Sequence, residues 1–208
     1  EKTALAIQAG AAGILFVNNV DGHVLLTGTA SVTGELIPVP AACVTSEDGA
    51  LLRRWLEQGR TVRGLLNMTN HSDIVTARNV IAEIPGGDLA DEVVIVGGHL
   101  DCWDLATGAT DNGLGSFSIL DMARCLHACG LRPRRTIRFV LFMGEEQGLL
   151  GSRALVDHYR STGELARIKC MLNMDMTGHP QGFGITGPEG WKELIARINV
   201  EIRAVDST

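Results

Sequence analysis

Three short apolar runs in the middle of the chain, at residues 93–98, 137–144 and 170–174, each end on a histidine or an acid, and helical stretches separate them. No other feature limits the possible folds as tightly. Short, almost wholly apolar runs suit strands buried on both faces of a sheet, and the intervening periodic stretches at 114–128 and 152–159 suit crossover helices. Strands alternating with helices imply a mainly parallel or mixed sheet covered on both sides, an α/β three-layer sandwich. A further strand is expected at 74–84, closed by the turn Pro85-Gly86-Gly87-Asp88, with another near 183–185 and a helix at 191–200.

In open α/β sheets the binding crevice lies beyond the carboxyl ends of the strands, so the residues that follow each run carry the functional signal. The first run delivers His99-Leu100-Asp101, the second Glu145-Glu146 and the third Asp175. Asp111 stands just before the glycine-spaced start of the helix at 114–128, where a carboxylate also suits the positive helix end. Asp111, Glu145, Glu146 and Asp175 would then crowd one rim around His99, and mutual repulsion would raise their affinity for protons. A divalent cation resolves the conflict. Imidazole with carboxylates and no thiolate suits zinc, with cobalt or manganese also compatible, and a bridging aspartate allows two ions about 3.5–4 Å apart.

Singly, these residues are ordinary. His99 alone reads as a satisfied core histidine and Glu145-Glu146 as a solvated turn; their joint placement after successive strands favours the metal site. Cys102 lacks a partner base and reads as a packing thiol. His23 and His71 show no partner pattern, and His127 and His158 fall near helix ends, where they cap carbonyls or face solvent.

The region before this alternation has a different texture. A helix end at 4–9 turns through Ala11-Ala12-Gly13 into a strand at 14–17; a strand at 37–44 leads through Thr45-Ser46-Glu47-Asp48 into a helix at 50–58; and 61–67 reads as a closing strand. The polar stretch 69–73 marks the boundary, giving domains at 1–68 and 69–208. Residues 1–67 hold no charged or nucleophilic constellation, which points to a lid, spacer or access wall.

The formal charge of −6 argues against nucleic acid as a partner. The basic run at 132–138 flanks a proline and reads as a solvated loop. No apolar stretch approaches the length of a membrane span. The 5 cysteines show no CxxC pair, so neither a disulfide framework nor a cysteine zinc site is expected. Residue 1 is Glu, and the sequence reads as a piece of a longer precursor. The acceptor patterns at Asn67 and Asn70 leave the compartment open, with a secreted or extracytoplasmic location favoured over the cytoplasm; a homodimer is compatible with the sequence.

Two resemblances carry these expectations further. The Ala-Gly-Ala-like turn, apolar strand, Ile-Pro-Val-Pro at 37–40 and Ser-Glu-Asp-Gly at 46–49 resemble part of a protease-associated domain. Gly98-His99-Leu100-Asp101, Gly-Ala-Thr-Asp-Asn-Gly at 108–113, Glu145-Glu146-Gln147-Gly148 and Asn173-Met174-Asp175-Met176 resemble the di-zinc aminopeptidase family. Trp103-Asp104 and Gly130-Leu131-Arg132-Pro133 look most like its plasma glutamate carboxypeptidase branch. The resemblance implies a zinc-dependent exopeptidase that cuts peptides or dipeptides with a metal-activated water and two zinc ions. By it, His99, Asp111 and Asp175 hold one ion, Asp111 bridges to a second held by Glu146, Asp101 orients His99, and Glu145 is the general base. It also implies a peptide bond, often cis, between Asp111 and Asn112. A fifth ligand, a histidine, is implied well downstream of Asp175, and His179 in its Gly-His-Pro turn does not fit that place. The second site is therefore expected to be incomplete within this chain, and the isolated chain inactive. Glutaminyl cyclisation on a single zinc, or a non-catalytic binding fragment, are the competing readings; loss of ammonia versus loss of a residue separates the first from peptide cleavage.

Overall fold

The structure, a computed structural model, describes residues 2–31, 35–178 and 183–206. It divides into two compact units, Glu1–Met176 and Thr177–Thr208.

The first unit opens with helix α1 (Lys2–Gln8), followed by strand β1 (Ile14–Val17), which pairs in parallel with β2 (Ala41–Val44). β2 is shorter than the run at 37–44 suggests, because Pro38 and Pro40 have no amide hydrogen to give a ladder. Helix α2 (Ser46–Glu57) begins earlier than expected: Thr45 caps it, its hydroxyl accepting the Asp48 amide at 3.1 Å. The helix lies close on β1 at Gly49, where a Cβ would come within 2.2 Å of the Val17 side chain. A cleft of about 320 Å³ beside this small sheet, lined by Phe16, Leu26 and Cys43 among others, carries no charged side chain. Residues 60–79 form no ladder, so the closing strand expected at 61–67 is absent and the strand expected at 74–84 contracts to β3 (Val80–Ile84). β3 runs antiparallel to β5, and its pairing stops at Val80–Leu141, one residue short of the end of β5.

β4 (Leu89–His99), β5 (Arg135–Phe142) and β6 (Ile168–Asn173) are mutually parallel, and the sheet order is β3-β5-β4-β6. Helix α3 (Leu114–Ala128) joins β4 to β5, and helix α4 (Leu150–Thr162) with a short turn of 3-10 helix (Glu164–Arg167) joins β5 to β6. The two helices cover opposite faces. Val93, Ile95, Val140 and Phe142 pack with Leu155 and Tyr159 of α4, whereas Val96, Phe139 and Leu141 pack with Ile119 of α3. The strict alternation of side chains along β4 and β5 therefore feeds two cores at once, each buried aliphatic side chain contributing about 1.5–3 kcal/mol. These are the three layers expected from the alternation of strands and helices.

The basic run at 132–138 is a solvated loop only in its first half, where Arg132 and Arg134 are exposed; from Arg135 on it is strand β5. Arg134 pairs with Asp88 at 2.7 Å and Arg135 with Glu92 at 2.6 Å. Arg138 is buried inside β5, where it pairs with Glu83 of β3 at 2.5 Å and Glu164 at 3.1 Å, its guanidinium 4.9 Å above the Tyr159 ring. Burial opposes its charge, but those bonds outweigh it and hold the group well above its ordinary proton affinity. Its aliphatic stem lets a charged head sit at the edge of an apolar layer.

In the second unit, α5 (Gly190–Asp206) extends the helix expected at 191–200. Residues 183–186 form no ladder, so the strand expected near 183–185 is not formed among the described residues.

Arg138→Ala should cost ~3 kcal/mol in urea unfolding, since it strands two carboxylates and opens a gap beside Tyr159. Arg138→Met should cost distinctly less, because it keeps the packing while losing the charge.

Candidate metal centre

His99 is the last residue of β4 and is 3% exposed. Gly98 before it is required by crowding: a Cβ there would lie 2.5 Å from the Met174 carbonyl, where the exit of β6 crosses. The His99 Nδ1 lies 2.9 Å from the backbone carbonyl of Asp101, a partner that can only accept. Nδ1 therefore carries the proton, and Nε2 is left with its lone pair facing the acids. Nε2 is 2.9 Å from Asp111 Oδ1 and 3.5 Å from Asp175 Oδ1.

Asp101 thus orients the imidazole through its main chain. Its carboxylate, expected to take the ring proton, stands 3.8 Å from Nδ1 and instead accepts the Glu145 and Glu146 amides at 3.0 and 3.1 Å. A carboxylate finds two backbone donors a better match than one ring nitrogen that a carbonyl already serves.

Asp111 lies in a kinked turn (Ala109–Gly113) whose peptide bond between Asp111 and Asn112 is cis, as the resemblance implied. Gly108 takes φ +63° there and receives the Gly113 amide at 2.6 Å. The Asp111 carboxylate turns to His99 and does not cap α3, which has no side-chain cap. Glu145 and Glu146 sit on the loop after β5, entered at Gly144 (φ +70°). Asn79 ties that loop shut: its side chain accepts the Met143 amide at 3.0 Å and donates to the Gly151 carbonyl at 2.8 Å. Asn79, Asn112 and Ser116 escape sequence reasoning because their partners are main-chain groups, which no residue pattern identifies.

The ligand atoms of His99, Asp111 and Glu146 lie within 4.8 Å of one another. Zinc bonds of about 2.0–2.2 Å place tetrahedral ligands roughly 3.4 Å apart, so a small contraction of this group suffices to grip an ion. Asp111 is common to this group and to the set of His99, Asp111 and Asp175 that the resemblance implied. Asp175 reaches the His99 ring from the far side of the strand order, on the exit of β6. Burial raises the Glu145 carboxyl above its ordinary range; the charge of His99 opposes this, and Asp175, Asp101 and Asp111 reinforce it. Glu146 is raised by burial and then by Asp111. For His99, burial opposes protonation, but the Asp101 carbonyl and the charges of Asp175, Glu145 and Asp101 outweigh it, so its proton affinity is raised. The site is thus short of positive charge, which is the condition a divalent ion relieves.

A family model described as Peptidase family M28 matches residues 79–202, and one described as PA domain matches residues 1–52. The chain belongs to peptidase family M28. It is 32% identical over 185 residues to Carboxypeptidase Q of Xenopus laevis, covering 88% of this chain and 39% of that one. To Leucine aminopeptidase 2 of Trichophyton rubrum it is 35% identical over 205 residues, covering 93% and 40%. Among solved structures, a peptidase M28 precursor from Shewanella amazonensis superposes with a TM-score of 0.67 at 30% identity, covering 84% of this chain and 40% of that one. A zinc aminopeptidase from Bacillus subtilis gives 0.61 at 31% identity, covering 85% and 41%. The M28 chain described here spans about two-fifths of the length of these relatives.

Cys102 is an exposed free thiol whose side chain lies close against Gly108. His23, His71, His127 and His158 are exposed. His179 lies outside the described residues. No helix among the described residues is long and apolar enough to cross a membrane.

Zinc added to the metal-free protein should raise its Tm, and His99→Ala or Glu146→Gln should weaken zinc binding by about 100-fold or more in calorimetric titration. Carboxyls raised on folding favour the protonated form, so the metal-free protein should lose stability as pH climbs from the ordinary glutamate value of 4.5 through their raised values. Glu146→Gln should therefore raise the Tm of the metal-free protein at neutral pH while removing most of the zinc-induced gain.

Proposed function

We propose that the protein is a zinc-dependent exopeptidase that hydrolyses a terminal peptide bond of a peptide or dipeptide. The observation that carries this reading is the approach of His99, Asp111 and Glu146 to within 4.8 Å, with Glu145 beside them on the same loop. In it, His99 Nε2, Asp111 and Asp175 would hold one zinc ion, and Asp111 and Glu146 would hold the second. Zinc supplies a Lewis acid that polarises the scissile carbonyl and acidifies water.

Glu145 is the general base in this reading. A base must hold the proton of the attacking water and then pass it to the departing amine, which asks for a carboxyl above its ordinary proton affinity; burial gives Glu145 that property. Asp101 keeps the loop in place through the Glu145 and Glu146 amides, so base and ligand move as one unit. The relatives' names include both an aminopeptidase and a carboxypeptidase, and a dipeptide presents both termini within reach of one site. Residues 1–68 form the accessory part and 69–208 the catalytic part.

The full-length protein should release single residues from aminoacyl anilides or dipeptides, lose that activity to a chelator and regain it with zinc; chelator-resistant cleavage would overturn the reading. Glu145→Gln should lower kcat by about 10³-fold with zinc content unchanged. N-acetylated and C-amidated dipeptides tell which terminus is required.

A further inference from the structure

Strand β3 stops pairing with β5 at Val80–Leu141, and at the next position the side chain of Asn79 takes over from the main chain. Its carboxamide accepts the Met143 amide at 3.0 Å and donates to the Gly151 carbonyl at 2.8 Å. Met143 and Gly151 are the two ends of the loop that carries Glu145 and Glu146, and they also meet directly, the Gly151 amide donating to the Met143 carbonyl at 2.8 Å. In a regular antiparallel pair the second bond would run straight from the Met143 amide to the Gly151 carbonyl. Here the Asn79 amide is inserted into it. One side of the loop mouth is closed, and the other is held open by a planar spacer of fixed size.

The mouth leaves room for that spacer and little else. A Cβ on Gly151 would lie 2.3 Å from Asn79 Oδ1 and 2.4 Å from the Met143 carbonyl. Inside the loop, the Gly148 and Leu149 amides both donate to the Glu145 carbonyl, at 2.8 and 2.9 Å, and the Leu150 amide closes on the Gly144 carbonyl at 2.9 Å. The loop is thus braced by its own main chain and fixed at two places, by Asn79 at its mouth and by the Asp101 carboxylate at the Glu145 and Glu146 amides. A tilt set at the mouth moves both acids together.

We infer that Asn79 is a positioning residue for the reaction: its carboxamide sets the tilt of the loop at 143–151 and so places the Glu145 carboxylate for proton transfer. The inference rests on the reading of Glu145 as the general base. Asparagine supplies an acceptor and a donor at fixed separation, whereas aspartate keeps the acceptor for the Met143 amide but turns an oxygen toward the Gly151 carbonyl. Without the spacer, the Met143 amide and the Gly151 carbonyl either close on one another or turn to water, and in both cases the base leaves its place. A displacement of about 1 Å is enough to cost about 100-fold in rate. Among the described residues, the side-chain bonds of Asn79 go to the two ends of the loop and not to His99, Asp111 or Asp175, so its influence reaches the site through the loop.

The test uses the full-length protein, with dipeptide cleavage at saturating zinc as one readout and amide hydrogen exchange of the metal-free protein as the other. Asn79→Ala and Asn79→Asp should each lower kcat by about 10–100-fold with KM within about threefold of native, the range seen when groups supporting a metal site are removed. Both should speed exchange across 143–151 by about tenfold or more while β4 stays as protected as in the native protein. On a Glu145→Gln background either change should cost less than about threefold further, since two changes that act through one group are not additive. Arg138→Met, which weakens the sheet away from the loop, should leave kcat unchanged. If Asn79→Ala does not fold, Asn79→Asp carries the test, because it keeps the shape and the Met143 bond. Native kcat or native exchange across 143–151 in Asn79→Asp overturns the inference, as does a full further loss on the Glu145→Gln background or an equal loss in Arg138→Met. A native protein that cleaves no dipeptide overturns the peptidase reading itself.

Discussion

Carboxylates of like charge are gathered around one buried imidazole at the C-terminal ends of the parallel strands β4, β5 and β6, and much of the surrounding construction serves to hold them there. Left alone, Glu145 and Glu146 bind protons more readily than exposed glutamates, and so does His99. The two raised carboxyls are a cost of folding in the metal-free state, whereas the acids around His99 favour its charged form. The sheet beneath has to supply enough buried apolar surface to carry that cost, and the two separate cores on its faces are where it does so.

The acids are aimed by hydrogen bonds from other residues to the main chain around them. Asp101 takes the Glu145 and Glu146 amides, Asn79 closes the loop that bears them, Ser116 and Asn112 hold the His99 carbonyl, and Asn112 brackets Asp175. This arrangement keeps the ligand side chains free of other obligations, so their lone pairs point into the site. It also explains why glycine stands at 98 and 115: a single methyl at either place would strike the carbonyl of Met174, which one of those bonds requires.

Much of this was legible from residue order. Helix α3 has the bounds its periodicity implies, and β5 and β6 fall within two residues of the apolar runs that mark them. His99, Asp111 and Glu146 come together as the strand-end pattern requires. The failures have a common cause. The runs at 61–67 and 183–185 alternate or are apolar enough for strands, but a strand exists only where a partner edge is free, and none meets them among the described residues. Arg138 looked like part of a solvated basic loop because its ion-pair partners, Glu83 and Glu164, lie 55 and 26 residues away.

The order of residues alone determined the fold class, the family and the side chains that can bind a metal, because apolar periodicity and acid placement are local properties of the chain. Tertiary structure decided which acids share the imidazole, that the Asp101 carboxylate serves the Glu145–Glu146 backbone instead of the ring, and that Asn112 ties the His99 carbonyl to the main chain on either side of Asp175. Those are distances between main-chain groups of separate strands. They depend on strand order, register and clearance, which emerge only when the sheet assembles.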